Sequence, residues 1–178
     1  MNRCKWCNVN NPLYVEYHDN EWGVLNLDEK YLFEMLMLES FQAGLSWECV
    51  LNKREFFKEA YDDFDIEKIV LYDDAKIEEL CNNKNIIRNK LKIKASVENA
   101  KIFMNIESEY GSFKNYLLKY FKKYPIKEVG KTTSSISDEL SKDLYKRGMR
   151  FVGSTIIYSY LQAIGLINSH EENCDVKL

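Results

Sequence analysis

Residues 144–155 read Leu-Tyr-Lys-Arg-Gly-Met-Arg-Phe-Val-Gly-Ser-Thr, the pattern of a helix, a short turn bounded by glycines and a second helix. Any helical hairpin needs such a turn, so the pattern alone does not identify a site. Gly153 is predicted to begin the second helix, whose free backbone N–H groups could hold a phosphate. Positive charge beside the turn favours that interpretation, and it comes from Lys146, Arg147 and Arg150.

Helical spacing continues on both sides of this hairpin, with apolar residues at intervals of three and four. The patterns predict helices at 32–41, 73–81 and 86–108, one after Ser112, and one beginning at Ser137. Residues 125–135 have the composition of a loop. Residues 151–161 contain β-branched side chains that could form a strand, but we expect a buried helix that continues to Ala163, since no partner strand is predicted.

The composition limits the fold class. Only two prolines and seven glycines interrupt the 178 residues, and no regular strand-and-turn pattern or internal repeat is evident. The chain is long enough for one well-packed core and marginal for two. We therefore expect an all-α fold with a single domain, residues 1–178.

The chain is 46% hydrophobic and 30% charged, as is ordinary for a globular protein. No apolar run approaches the roughly 20 residues that cross a bilayer, and residues 1–7 lack the apolar stretch of a signal peptide. We expect a cytoplasmic protein with no membrane partner. Five cysteines, an odd number, argue against a disulfide framework, and we expect Cys49 and Cys81 to be small core residues.

The net charge of −3 argues mildly against tight nonspecific binding to nucleic acid. Basic residues are nevertheless concentrated in the stretches 84–101 and 142–150. Either stretch alone is typical of a solvated helix face. The two together, with 13% aromatic residues, leave nucleic-acid binding open.

The two histidines lie near opposite ends of the chain, and each has a cysteine close by: Cys4 with His18, and Cys174 with His170. A Cys2His2 set binds structural zinc tetrahedrally, and here it would join the two termini. Cys7 competes with Cys4 as a ligand, and the two form a C-x-x-C pattern that redox proteins also use. These residues alone leave the choice open.

Tryptophans and tyrosines are concentrated near the start of the chain, in the blocks 14–23 and 38–47. Glu39 lies within the apolar pattern of the second block, so its carboxylate is either solvated at the edge of a helix or buried to read a ligand. A flat cation would suit a carboxylate among aromatic rings, since a ring face attracts a cation by about 0.5–2 kcal/mol. Gly44 predicts the end of that helix.

Five segments occur in a recognisable order: Tyr-His-Asp-Asn-Glu-Trp-Gly at 17–23, Leu-Glu at 38–39, Gln-Ala-Gly-Leu-Ser-Trp at 42–47, Ile-Ile-Arg at 86–88 and Phe-Val-Gly at 151–153. Together they resemble the 3-methyladenine DNA glycosylase I family, and the resemblance covers essentially the whole chain. It implies a single helix-hairpin-helix glycosylase domain whose termini are joined by one structural zinc. It selects as zinc ligands Cys4, His18, His170 and Cys174.

The resemblance also implies a substrate and a pocket. Methylation at N3 makes adenine cationic and a good leaving group, so the enzyme must chiefly flip the nucleotide out of the duplex and hold the base. By the motif match, Glu39 accepts hydrogen bonds from the base edge. Tyr17 and Trp47 would stack on the base, with Trp22 and Tyr14 lining the pocket.

The resemblance further implies contacts to DNA. Leu45 is our candidate wedge into the vacated stack, on a turn with Gln42 and Gly44. Contacts to the DNA backbone, which carry no sequence information, are expected from Gly148, Arg150, Val152, Gly153, Ser154 and Arg88. The expected partner is double-stranded DNA that contains alkylated bases, bound by a monomer.

Related glycosylases of the superfamily place a catalytic aspartate about twenty residues beyond the hairpin, and the lyase-type relatives place a lysine directly after it. Residues 166–170 contain no aspartate, and Ser154 follows Gly153. We therefore expect a monofunctional hydrolase without lyase activity.

Two other functions compete with this interpretation. A non-enzymatic, zinc-stapled helical module would bind nucleic acid or a protein, and would need no carboxylate among aromatic rings. A zinc hydrolase would need an open metal position, which four protein ligands do not leave. Two departures from the family pattern, the sequence Ser40-Phe41 and a short loop before Ser137, are expected to affect pocket shape or DNA affinity but not the reaction.

Overall fold

The computed structural model describes residues 1–176, and these are mostly helical. Within them no helix is long and apolar enough to cross a membrane. The α-helices are α1 (Pro12–Asn20), α2 (Glu29–Gln42), α3 (Trp47–Leu51), α4 (Arg54–Ala60), α5 (Ile66–Ile69), α6 (Asp74–Asn82), α7 (Lys90–Tyr110), α8 (Phe113–Leu118), α9 (Ser135–Lys146) and α10 (Ser154–Ala163). The described chain also has a 3-10 turn, Asp62–Phe64, and two short strands, β1 (Ile126–Lys127) and β2 (Ile167–Asn168).

Helix α2 lies at the centre of the fold, and all its residues from 32 to 41 are buried. A helix buried on every side needs apolar residues around its whole circumference, and this segment supplies them except at Glu34, Glu39 and Ser40. Helices α3, α7, α8 and α10 pack around it. Arg54 pairs with Glu34 at 2.7 Å, which neutralises one of the two buried carboxylates.

Helices α9 and α10 form the predicted hairpin, and Gly153 is the N-cap of α10 as expected. The prediction that Ser137 begins α9 was wrong by two residues. Ser134 caps the helix, because its Oγ accepts the Ser137 N–H at 3.2 Å while the Ser137 Oγ accepts the Ser134 N–H at 2.8 Å. Residues 151–153 belong to the turn rather than to a helix.

Capping also moves the start of α7, which we predicted at residue 86. The Oδ1 of Asn89 accepts the N–H groups of Leu91 and Lys92, each at 3.1 Å, so the helix begins at Lys90. Cys49 and Cys81, predicted as core residues, are only half-buried. Cys81 packs against the edge of the core, so apolar spacing overstated how deeply it is buried.

The parallel pairing of β1 with β2 was not predicted, and β1 lies in the segment that we expected to be a loop. Ile126 lies opposite Ile167, and Lys127 opposite Asn168. Strands of two residues show no alternation of apolar and polar side chains, so no sequence pattern indicates them. Their pairing fixes the segment before α9 against the segment after α10.

Gly165 allows a close approach of two backbone segments beyond α10. Its φ is +75°, and a Cβ built on it would lie 2.3 Å from the carbonyl carbon of Val24. The approach permits hydrogen bonds from the Gly23 N–H to the Gln162 carbonyl at 3.0 Å and from the Asn26 N–H to the Ile164 carbonyl at 3.1 Å. Residues 22–26 are thereby fixed beside the end of α10.

Candidate active site

An open pocket of about 570 Å³ lies where α1, α2, α3 and α10 meet the loop that follows β1. The pocket has aromatic side chains from the N-terminal third of the chain and polar side chains from the C-terminal third. Its lining residues are Trp6, Tyr14, Tyr17, Trp22, Glu39, Gln42, Trp47, Val129, Gly130, Lys131, Thr132, Ser159, Gln162, Ser169 and Glu171. The structure thus brings together all five predicted base-binding residues and Gln42.

Glu39 points into this pocket from α2, and its residue is only 2% exposed. Its Oε2 has no hydrogen-bond partner among residues 1–176. Burial raises the pKa of the Glu39 carboxyl well above its usual range, because the ionised form loses its hydration. The sequence left open whether Glu39 is solvated or buried, and the structure has it buried.

Two further polar atoms in the pocket are buried without a partner among the described residues, the Gln42 Oε1 and the Trp47 Nε1. Buried side-chain polar atoms in native proteins nearly always have a partner, and exceptions indicate a ligand, a water or a functional group. Glu39, Gln42 and Trp47 together offer two acceptors and one donor to whatever occupies the pocket. A flat ligand with polar edges would satisfy them.

The aromatic walls are in contact with one another. The rings of Tyr17 and Trp47 have centroids 5.1 Å apart, and those of Trp6 and Trp22 are 4.5 Å apart in an edge-to-face arrangement. Tyr14 lies 5.4 Å from Trp6. Rings fixed in this way present faces suited to a planar or cationic ligand.

Several lining residues were missed from the sequence. Trp6 carried a signal, because it lies between two cysteines beside a candidate metal ligand. The others come from the loop 129–132, from α10 and from the segment after β2. No local pattern distinguishes them, since only the packing of α10 on α2 and the pairing of β1 with β2 bring them to the pocket.

The turn between α2 and α3 carries the predicted wedge. The Leu45 N–H donates to the Gln42 carbonyl at 2.7 Å, Ala43 has φ −46° and ψ 116°, and Gly44 has φ +76°. These angles define a type II turn, which favours glycine at its third position. The Leu45 side chain is 43% exposed, a large apolar residue at the surface.

The residues predicted to contact the DNA backbone differ in whether their side chains are accessible. Gly153, Arg150 and Arg88 are exposed. The side chains of Val152 and Ser154 are not available, since Val152 is 2% exposed and the Ser154 Oγ is bonded to Ser137 and Asp138. At these two positions only the backbone N–H groups suit a phosphate.

Two cations that we associated with nucleic acid are engaged within the protein. Arg147 forms ion pairs with Glu109 and Asp143. Lys92 is 7% exposed, and its Nζ donates to backbone carbonyls of Phe41 and Ala43. Neither side chain adds to the positive surface that the sequence suggested.

A second site adjoins the pocket and is formed by four buried side chains, those of Cys4, His18, His170 and Cys174. Their ligand atoms all lie within 4.8 Å of one another. Cys174 Sγ lies 3.4 Å from His170 Nδ1 and 3.7 Å from His18 Nε2, and Cys4 Sγ lies 3.6 Å from His170 Nδ1. Ligand atoms of a tetrahedral zinc are roughly 3.3–3.8 Å apart for bonds of about 2.0–2.3 Å. These three distances fit such an ion.

The second nitrogen of each histidine is oriented by a hydrogen bond. His18 Nδ1 lies 2.8 Å from the Asp19 carboxylate, and His170 Nε2 lies 3.0 Å from the Trp22 carbonyl. Bonds of this kind fix metal-binding imidazoles. A hydrogen bond from Arg3 lowers the pKa of Asp19 to about 2, so the carboxylate that orients His18 is ionised.

The Cys/His cluster also supports one wall of the pocket. The His170 ring lies 4.7 Å from Trp22, and the His18 ring lies 5.2 Å from Trp6. Cys7, the competing candidate, is buried outside the cluster, with its Sγ near the Tyr14 carbonyl.

The model of the methyladenine glycosylase family matches residues 6–177. The chain belongs to this family. DNA-3-methyladenine glycosylase 1 of Escherichia coli is 42% identical to it, over 98% of this chain and 96% of that protein. A crystal structure of a 3-methyladenine DNA glycosylase I superposes with a TM-score of 0.95 at 40% identity, covering 99% of this chain and all of that one.

A second glycosylase structure, that of the Staphylococcus aureus enzyme determined to explain 3-methyladenine recognition, has a TM-score of 0.94 at 36% identity and covers 100% of this chain and 97% of that one. The predicted resemblance to the glycosylase I family is therefore confirmed. The departure at Ser40 and Phe41 lies away from the pocket lining: Ser40 Oγ donates to the Leu36 carbonyl and Phe41 packs on Phe57. The loop before α9 does reach the pocket, through residues 129–132.

The raised pKa of Glu39 gives a prediction about stability. Because the folded protein keeps the Glu39 proton after the unfolded chain has lost it, stability is fully present below the ordinary glutamate pKa of about 4.3 and falls as the pH rises toward the folded value. The free energy of unfolding of the wild type, relative to Glu39→Gln, should fall as the pH rises above 5, by at most about 1.4 kcal/mol per pH unit. Denaturant unfolding at pH 5, 6 and 7 measures it.

Glu59→Gln, at an exposed position of α4, is the control for this measurement. It removes one carboxylate from the surface and so isolates the effect of burial at Glu39. A pH-independent difference for Glu39→Gln would show that Glu39 ionises normally in the folded protein.

Proposed function

We propose that this protein is a base-excision repair glycosylase that flips 3-methyladenine out of alkylated DNA and hydrolyses its N-glycosidic bond. The observation that carries the proposal is the buried, unpartnered carboxylate of Glu39 among aromatic faces, in a pocket that also has an orphaned donor and acceptor. Its family relatives are named for action on the same base.

The substrate explains the unusual state of Glu39. An N3-methylated adenine in DNA is cationic, and a cation beside a buried carboxyl favours the ionised form. Glu39 would therefore ionise as the base enters and accept hydrogen bonds from the base edge. Tyr17 and Trp47 would stack on the base. A neutral base would bind less tightly, because it carries no charge to compensate for the cost of ionising the buried Glu39.

The reaction needs little acid catalysis. The bond between C1′ and N9 breaks, and its electron pair neutralises the departing 3-methyladenine. Water adds to C1′ and loses a proton, which leaves an abasic sugar. The pocket contributes by holding the base outside the stack, and extrusion costs a few kcal/mol. We infer a monofunctional reaction, because Ser154 stands where lyase-type relatives carry the amine.

On this proposal the DNA is held by two surfaces. Leu45, on its exposed type II turn with Gln42 and Gly44, fills the gap left by the extruded base. Backbone N–H groups at the start of α10, from Val152 to Ser154, hold a phosphate, with Gly148 shaping the turn. Arg150 and Arg88 add positive charge. We expect a single-domain monomer, acting in the cytoplasm on double-stranded DNA.

We propose further that the Cys/His cluster binds one structural zinc. Its donor set, its interatomic distances and the oriented histidines support this assignment. The ion would supply a cross-link between the two ends of the chain. Four protein ligands leave no position for water, so the catalytic chemistry stays in the pocket. A non-enzymatic module would have no use for the uncompensated burial of Glu39.

The test of the activity is release of 3-methyladenine from methylated duplex DNA by the wild type and by Glu39→Gln. Loss of the carboxylate should reduce release by about 10- to 100-fold, because a hydrogen bond to a charged group contributes about 1.5–3 kcal/mol. Since Glu39→Gln should be at least as stable as the wild type at neutral pH, the loss cannot be attributed to unfolding. No release by the wild type would refute the proposed function, and full activity of Glu39→Gln would refute the role of Glu39.

Removal of the metal should affect stability rather than chemistry. A cross-link that closes a loop from His18 to His170 contributes about 5 kcal/mol, and each kcal/mol shifts the thermal midpoint by about 2–4 °C. Chelation should therefore lower Tm by on the order of 10 °C, while apo-protein that is still folded keeps its activity. Folded but inactive apo-protein would instead indicate a catalytic metal.

A matched pair of variants tests whether Cys4 or Cys7 is the zinc ligand. Cys4→Ser should lose stoichiometric zinc, whereas Cys7→Ser should retain it, as measured by metal content after gel filtration. Retention of zinc by Cys4→Ser would contradict the assignment.

A further inference from the structure

Helix α7 carries three buried polar residues, Lys92, Ser96 and Asn99. Lys92 and Asn99 lie seven positions apart and so on one face of the helix. The hydrogen bonds of Lys92 and Asn99 go to backbone atoms in different parts of the chain. Lys92 bonds the last turn of α2 and the turn that follows it, and Asn99 bonds the turn between α9 and α10. These are the two turns that the proposed function places against DNA.

The contacts of Lys92 are unusual for a lysine. Its Nζ donates to the Phe41 carbonyl at 2.8 Å and to the Ala43 carbonyl, and it lies 5.7 Å from the centre of the Phe151 ring. The carbonyl end of α2 carries partial negative charge, which favours a cation there. Ala43 belongs to the type II turn that carries Leu45, so the ammonium group fixes that turn directly.

Asn99 fixes the other turn with equal specificity. Its Nδ2 donates to the Arg150 carbonyl at 2.9 Å, and its Oδ1 accepts the Arg150 N–H at 2.9 Å. The next residue, Phe151, has φ +58°, a left-handed conformation that a non-glycine residue adopts only when its surroundings enforce it. Phe151 also faces Lys92, so the two sets of contacts are continuous.

We propose that Lys92 and Asn99 are positioning residues that hold the Leu45 turn and the hairpin turn at a fixed separation on the rigid face of α7. The Leu45 side chain then enters the base stack at the same time as the N–H groups at Gly153 hold a phosphate. This inference rests on the proposed function. It assigns to two buried residues a role in extruding the base rather than in binding the extruded base.

The experiment compares Lys92→Met and Asn99→Ala with the wild type on two substrates and one ligand. The substrates are duplex DNA with 3-methyladenine opposite thymine, and the same duplex with an abasic site opposite the lesion, where the base is already unpaired. The ligand is free 3-methyladenine, whose binding is measured by tryptophan fluorescence. All assays are run below the Tm of each variant.

We expect each variant to excise the paired lesion at least tenfold more slowly than the wild type, to excise the unpaired lesion within about threefold of it, and to bind the free base within about twofold. Loss of either Lys92 or Asn99 alone frees the two turns to move relative to each other. The double variant should therefore excise the paired lesion little more slowly than the slower single variant. Ser96→Ala is the matched control. Ser96 is buried on the same helix between Lys92 and Asn99, but its Oγ bonds Tyr61 and the Ile93 carbonyl instead of either turn. It should behave like the wild type.

Two results would overturn the inference. The first is wild-type excision of the paired lesion by both variants. The second is an equal loss of excision rate on both substrates together with weaker binding of the free base. That result would mean that Lys92 and Asn99 have a general structural role. Failure of the wild type itself to excise the base would refute the proposed function instead, so the two failures are distinguishable.

Discussion

The pocket depends on the burial of one carboxylate, that of Glu39, in the middle of the central helix. An ionised carboxylate moved out of water costs several kcal/mol unless it is paired, and on the same helix Glu34 avoids that cost through Arg54. Glu39 has no such cation among the described residues and a raised pKa. Burial therefore favours the neutral form of the Glu39 carboxyl. On the proposed function, a cationic base in the pocket would favour the ionised form.

Outside the pocket, the buried side-chain polar atoms of the described residues have hydrogen-bond partners, with the Tyr160 hydroxyl as the exception. Their hydrogen bonds hold the surroundings of Glu39 in place. Lys92 and Asn99 bond the two turns that we propose contact DNA, and Asp19 and the Trp22 carbonyl orient the two histidines. Four buried side-chain atoms in the described chain have no partner, and three of them line the pocket, the Tyr160 hydroxyl being the exception. The polar groups around the pocket are hydrogen-bonded and held in place, while those that line it are free to bind a ligand. Such preorganisation favours selective binding.

Much of this could be predicted from the sequence where the signal is local. Apolar spacing predicted the long helices α2, α6, α7, α8, α9 and α10, but not the short helices α1, α3, α4 and α5. The aromatic blocks indicated Tyr14, Tyr17, Trp22 and Trp47, because these residues are concentrated in two short stretches of sequence. The starts of α9 and α7 were misplaced, because side-chain caps at Ser134 and Asn89 decide these two boundaries. The polar wall of the pocket could not be predicted, because long-range packing assembles it from separate segments. Lys92 was misread as surface charge, since a sequence does not show what an ammonium group contacts.

The central claim is that Glu39 makes the pocket selective for positive charge on a flat base. The most direct test is the affinity for the 3,9-dimethyladenine cation, which has a fixed charge and no sugar to lose, compared with neutral 9-methyladenine. The wild type should bind the cation at least about tenfold more tightly, as a charged hydrogen bond of about 1.5 kcal/mol or more requires, and Glu39→Gln should lose most of that preference. Equal affinities in the wild type, or an undiminished preference in Glu39→Gln, would contradict the account.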